Sequence, residues 1–240
     1  MAESVDVRRA NERMHTKIDW LDSWHSFSFG EQYDPRNTHH GLLLVSNDDV
    51  IAPGGGFGTH PHRDMEIVTW VLDGALEHRD SEGNHGIIEP GLAQRMSAGT
   101  GIRHSEVNAS TTAPVRLLQM WVPPDTASIP PGYEQRDVSA QLRGDALYPL
   151  ASGREDDAGV RIHQRDATLW VARLDVNARV DIPDAPYVHV FVATGDATVD
   201  DSGTLHAGDA VRLTDAGKKT LAAGARGAEV AIWEMHATLD

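Results

Sequence analysis

From Gly41 to Val122 the chain is written in short runs of β-branched, leucine and aromatic residues, each cut by Gly, Pro, Asn or Asp. Ile67–Leu72 (IVTWVL) and Val115–Val122 (VRLLQMWV) are the clearest of these runs. Such lengths and such punctuation predict strands, and helix signals are scarce throughout. An all-β fold follows, an antiparallel barrel or sandwich with few short helices. Gly41–Ser46 reads as a strand and Asn47-Asp48-Asp49 as a turn. Asp73-Gly74 reads as a hairpin turn that returns Ala75–Arg79 beside the preceding strand. Asp80–Asn84 reads as a further turn before a short strand at His85–Ile88. Phe27 and Phe29 share a face of an aromatic segment, Trp20–Phe29, expected to line a core or a pocket.

The second half repeats this grammar. Thr194-Gly195-Asp196 mirrors Asp73-Gly74-Ala75, and Ala207-Gly208-Asp209 mirrors Pro90-Gly91-Leu92, at offsets of about 120 residues. An internal duplication is implied, with a proline-rich linker over Pro123–Arg136. The expected division is residues 1–130 and 131–240. Residues 1–19, with Arg8, Arg9 and Arg13, read as a solvated polar segment.

Within this strand-rich chain, two pairs of metal-capable side chains stand beside glycine turns. His60 and His62 sit in GTHPH, and His104 and Glu106 in GIRHSE. Residues two apart on a strand point to the same side, so each pair presents two ligands together. Two such strands side by side would gather four ligands on one metal ion. There are no cysteines among the 240 residues, so thiolate sites and disulfides are excluded, and imidazole and carboxylate are the main ligands left. Three imidazoles and a carboxylate suit iron(II), nickel, manganese, copper, cobalt or zinc, and on an octahedral ion they leave positions for a substrate. Glu66 has the strand parity of His62, so spacing alone does not choose between Glu66 and Glu106. At the offset of the duplication, His60 and His62 fall at Asp181 and Pro183, and His104 and Glu106 fall near Ala222 and Gly224. The second copy is therefore expected to carry no metal. His25, His39 and His40 have no matching pair and read as structural or surface histidines. Phe27, Phe29, Phe57 and Met120 are candidates to line a pocket.

The formal net charge of −15 disfavours direct contact with nucleic acid or an anionic membrane. No apolar run reaches the length of a membrane span, and the first twenty residues lack a secretory apolar region. A cytoplasmic protein is expected.

The run THPHRDMEIVTWVLDG through SAGTGIRHSEVN resembles the pirin family, as do LDSWHSFSFGEQYDP (Leu21–Pro35) and Tyr133–Arg136. The resemblance is dense in the first half and thin in the second. It implies a bicupin, two antiparallel β-barrel (jelly-roll) domains, of which residues 1–130 bind metal and residues 131–240 do not. It also implies His60, His62, His104 and Glu106 as the ligands, iron(II) first among the metals, and leaves Glu66 as a group supporting a ligand histidine. The GTHPH and SAGTGIRHSE runs are most similar to bacterial quercetin 2,3-dioxygenase-type pirins, which open a flavonol with O2 and release carbon monoxide. The implied partners are a small aromatic substrate and O2, with Glu106 as the base for the substrate hydroxyl. A vertebrate-type pirin is instead an iron protein that regulates through a protein partner, and that is the alternative.

Overall fold

A computed structural model describes residues 3–239. Among them are twenty strands and a single three-residue 3-10 segment, Ala10–Glu12. The strands form three sheets of seven, four and nine strands. The first half is a sandwich of the seven-stranded sheet and the four-stranded sheet. The second half is the nine-stranded sheet, in which Tyr187–Val199 and Lys219–Met235 run long and change register partway. The sheets are jelly-roll layers open along their edges rather than closed barrels.

The central strand of the seven-stranded sheet is Val115–Val122, flanked by Val45–Ile51 and Glu66–Asp73. Alternation sorts each strand between two cores. Val68, Trp70, Leu118 and Met120 pack against Phe191 and Trp233 of the nine-stranded sheet, in the seam between the halves. Val71, Leu117 and Ile51 face the other way, into the first sandwich. The second sandwich is filled by its own apolar set, including Val188, Val190, Val211 and Ile232.

Several expectations change at this level. Asn47-Asp48-Asp49 is not a turn but the middle of the Val45–Ile51 strand. Its polar side chains survive burial because each has a partner: His25 for Asn47, Arg116 for Asp48 and Ser23 for Asp49. Asp73-Gly74 does not close a hairpin. Leu76–Asp80 crosses to the four-stranded sheet, where it pairs with His85–Ile88 and Ile102–Asn108. Gly195 lies within one long strand at a register shift instead of in a turn.

Two strands also cross the expected division at 130/131. Ser4–Arg8, read as solvated, pairs in full register with Ala210–Thr214 of the second half. Gly132–Asp137, read as linker, pairs with Leu92–Ser97 of the first. Each covers an edge that its sheet would otherwise leave unpaired.

Candidate metal centre

The four-stranded sheet sets the site. Gly56–His62 lies antiparallel to Ile102–Asn108, and His60 is directly opposite His104. A register shift falls between His104 and Glu106, so Glu106 is opposite Phe57 on that side. On its other side the same strand puts Glu106 opposite His78 and His104 opposite Asp80. The close approach depends on Gly56, where a Cβ would fall on Glu106 O and Val107 Cα.

The ring centroids of His60, His62 and His104 lie 4.4 to 4.9 Å apart. One ring nitrogen of each falls within 4.8 Å of the others, a spacing that can hold one metal ion. Nε2 of His62 and Nε2 of His104 are buried and have no hydrogen-bond partner. Buried polar atoms without a partner are costly, and two of them in one imidazole cluster fit a cation in the place of a partner. Burial, with the neighbouring histidines, lowers His62 to about 4 and His104 to about 2, so both are neutral and ready to donate lone pairs.

Tautomers are set by the outer nitrogens. Nδ1 of His60 meets Gly58 O at 2.7 Å, which directs its Nε2 lone pair inward. His104 Nδ1 lies 3.5 Å from His78 Nδ1, and His78 Nε2 lies 3.2 Å from Asp80 Oδ2. Read from the carboxylate, His78 donates to Asp80 and accepts from His104, which leaves His104 Nε2 as a lone pair. The order carboxylate–His78–His104 is the arrangement that orients metal-bound imidazoles.

Of the four expected ligands, three form one group. Glu106 meets it through His104 and belongs with His78 and His104 to a second group. Its carboxylate accepts from Gln119 Nε2 at 2.6 Å and from Thr69 Oγ1 at 3.4 Å. Burial pushes the Glu106 carboxyl up to about 7, against the pull of these two donors.

Glu66 does not support a ligand histidine. It shares the parity of Val68 and Trp70 and turns to the seam, where it accepts from Ser97 Oγ and the His163 backbone N–H. Parity within its own strand, set by the apolar residues that follow it, decides this.

The facing sheet supplies the floor of the site. Register places Gln94, Thr69, Gln119, Asn47 and His25 in one row across five strands. All five are buried. His25, expected to be merely structural or at the surface, joins the end of this row through Asn47 and Thr16. A cavity of ≈210 Å³ opens there, lined by Phe29, Phe57, His25, Asp49 and Gln119 among others. Phe27 and Met120 do not line it and belong to the seam core. His78 and Gln119 were not singled out in the sequence, and Asp80 and Asn47 were read only as turn residues. His78-x-Asp80 has the same two-residue spacing as the ligand pairs, and Gln119 and Thr69 are lone polar residues inside apolar strands, so both signals were present.

Residues 6–122 match the Pirin family model, and residues 149–235 match the quercetinase C-terminal cupin domain. A Mycobacterium tuberculosis protein provisionally named a quercetin 2,3-dioxygenase is 55% identical over all of this chain and 98% of its own length. The chain belongs to the pirin family. The quercetin 2,3-dioxygenase of Escherichia coli K12 is 45% identical over 196 residues, 81% of this pirin and 84% of that protein. The crystal structure of the bacterial pirin YhhW from Escherichia coli in complex with nickel(II) superposes with a TM-score of 0.89 at 37% identity, covering 98% of this chain and 100% of that one. A bicupin with two cupin domains is thus the fold of this pirin, and a divalent metal is consistent with its histidine cluster. Both metal-capable groups found among the described residues lie in the first half. In the second half Arg179–Ile182 pairs with Lys219–Met235 much as the ligand strands pair, but Asp181 is opposite Thr220 and the interior is apolar. No helix among the described residues is long and apolar enough to cross a membrane.

Proposed function

We propose that this pirin is a metal-dependent dioxygenase that cleaves flavonol-type, quercetin-like enolic aromatics with O2, from a site held by His60, His62, His104 and Glu106. The observation that carries the reading is the pair of buried, unpartnered Nε2 atoms on His62 and His104 within one three-imidazole cluster. Iron(II) is the metal we favour. Nickel, manganese, copper, cobalt and zinc suit the same donors. We place the protein in the cytoplasm and assign residues 1–130 and 131–240 to the metal-binding and metal-free cupin units, with the exchanged strands noted above.

A divalent ion held by these residues would supply Lewis acidity to an enolic oxygen of the substrate. The protein supplies the rest. His60 and His104 are fixed in tautomer by Gly58 and by the His78–Asp80 pair, so their lone pairs need no reorganisation. Phe29 and Phe57 offer flat apolar walls to an aromatic ring, and Gln119 and His25 offer polar contacts to its hydroxyls. Glu106 is the base that takes the proton of the substrate hydroxyl; Gln119 holds one carboxylate oxygen at 2.6 Å, and the other accepts only the long 3.4 Å contact from Thr69. In the overall reaction the carbon bearing that hydroxyl leaves as carbon monoxide, and both atoms of O2 enter the ring-opened product.

O2 uptake with quercetin, followed before and after chelation and again after metal is restored, tests the reading. Uptake that disappears with the metal and returns with it is expected. Cleavage that persists after chelation would sink the metal mechanism, and a metal-loaded protein without cleavage would favour a regulatory pirin acting on a protein partner.

A further inference from the structure

A second cluster of buried, unpartnered atoms lies in the seam between the halves, and none of its residues belongs to the histidine groups. Of nine such side-chain atoms among the described residues, five line this one place: Arg13 Nε, Ser26 Oγ, Arg212 Nε and both ring nitrogens of His189. They surround a small cavity of ≈40 Å³. That is room for a few water-sized atoms.

Charge is unbalanced here. Arg212 is 7% exposed and its Nη2 donates to Ser26 O at 2.7 Å and Asn37 Oδ1 at 2.8 Å. Its guanidinium carbon sits 4.4 Å from the Phe27 ring centroid. It enters no ion pair among the described residues, whereas Arg8 has Asp6 and Arg9 has Asp209. Arg13 shares Asp48 with Arg116, so one carboxylate serves two guanidiniums. A buried cation held only by neutral acceptors pays a desolvation cost that an anion would offset. In a chain with a formal net charge of −15, a cavity edged by four arginines against one carboxylate, the exposed Glu12, is not a consequence of composition.

We infer that this cavity binds a small monovalent anion, the size of formate or a halide, on Arg212, Arg13, Ser26 and His189. Guanidinium Nε–H, hydroxyl and imidazole N–H groups are the donors such an anion takes. The contributing residues come from three places. Arg13 follows the N-terminal strand, Ser26 follows the Leu21–His25 strand, and His189 and Arg212 stand on the nine-stranded sheet. Binding would therefore fasten the N-terminal arm and both sheets at one point, beside the exchanged Ser4–Arg8 strand, whose Arg8 also edges the cavity.

The test is thermal unfolding of the full-length, metal-loaded protein at constant ionic strength, with sodium gluconate replaced stepwise by sodium formate or by sodium bromide. A saturable rise in Tm of roughly 2–5 °C is expected with one or both small anions, and the two arms separate carboxylate from halide. Ser26→Ala removes one donor and no charge, and should require about tenfold more anion for the same rise. Arg212→Met should fold without the small anion and lose the response. Should Arg212→Met fail to fold, Ser26→Ala decides. A Tm indifferent to the identity of the anion overturns the site, as does a response that Ser26→Ala leaves unchanged.

Discussion

His78 shows how much of a metal site lies outside its ligands. It is fully buried, stacks on Tyr133 and stands between Asp80 and His104. Its role is to hold the His104 tautomer. His78→Ala should therefore leave the fold intact and lower metal affinity about 10–100-fold, measured by competition with a chromogenic chelator. Unchanged affinity would reduce His78 to a packing residue. Asp49 carries a different consequence. Burial raises its carboxyl to about 7, the Ser23 hydroxyl opposes this, and the nearby charges of Asp48 and Glu106 add to it. An acid whose folded pKa is raised contributes stability that is complete below its unfolded value, 3.8, and is lost as pH rises through about 7. Asp49→Asn keeps a hydrogen-bonding side chain beside Ser23 and cannot ionise. Its Tm should gain on wild type as pH rises from about 4 to about 7, and the difference should level off above that. A difference independent of pH would mean that Asp49 ionises in the folded protein as readily as in the unfolded chain, near 3.8. His78 was not singled out in the sequence, and Asp49 was read as part of a turn. Asn47-Asp48-Asp49 has turn chemistry, and only tertiary partners on adjacent strands make it a strand. By contrast the convergence of His60, His62 and His104 was legible, because a two-residue spacing on a strand fixes direction, whereas Glu106 was chosen over Glu66 only through the pirin resemblance.

At the scale of elements, the site is a matter of register. One strand, Ile102–Asn108, faces His60 on one side and His78 and Asp80 on the other, so a shift by one residue would turn every ligand away. Gly56 protects that register by allowing its strand to lie against Val107. Gly56→Ala should cost about 1–3 kcal/mol in denaturant unfolding and weaken metal binding with it. An alanine tolerated without loss of either would mean that the two strands have slack. Strand existence was largely legible from residue type, and Ile67–Leu72, His85–Ile88 and Val115–Val122 were found close to their true limits. Pairing was not. Asp73-Gly74 has the local chemistry of a hairpin, yet Leu76–Asp80 leaves for the other layer, because its buried face, Leu76 and His78, is needed there. Parity within the seven-stranded sheet likewise separates Gln119 at the cavity from Met120 in the seam, a distinction that the sequence carries only once the faces are assigned.

For the whole molecule, the two cupin units have divided their labour by what fills them. The first sandwich keeps a polar row and a histidine cluster inside, at the cost of buried polar groups, and the second is packed with apolar side chains. The turn spacing was a poor guide to the duplication, because Gly195 lies inside a strand, although the positions it matched to the ligands include Asp181, which is paired with Thr220. The exchange of edge strands was not legible, because Ser4–Arg8 and Gly132–Asp137 are polar and gain their structure only from the edges they cover. The same large seam that joins the units leaves the sandwich with the histidine cluster as the proposed place where a substrate and O2 would meet. The direct measurement of that claim is carbon monoxide released per O2 consumed on quercetin, for wild type and Glu106→Gln brought to equal metal content. Equal amounts of the two gases from wild type, with turnover at least about a hundredfold lower in Glu106→Gln, is the predicted result. Full turnover in Glu106→Gln, or O2 consumed without carbon monoxide, would contradict it.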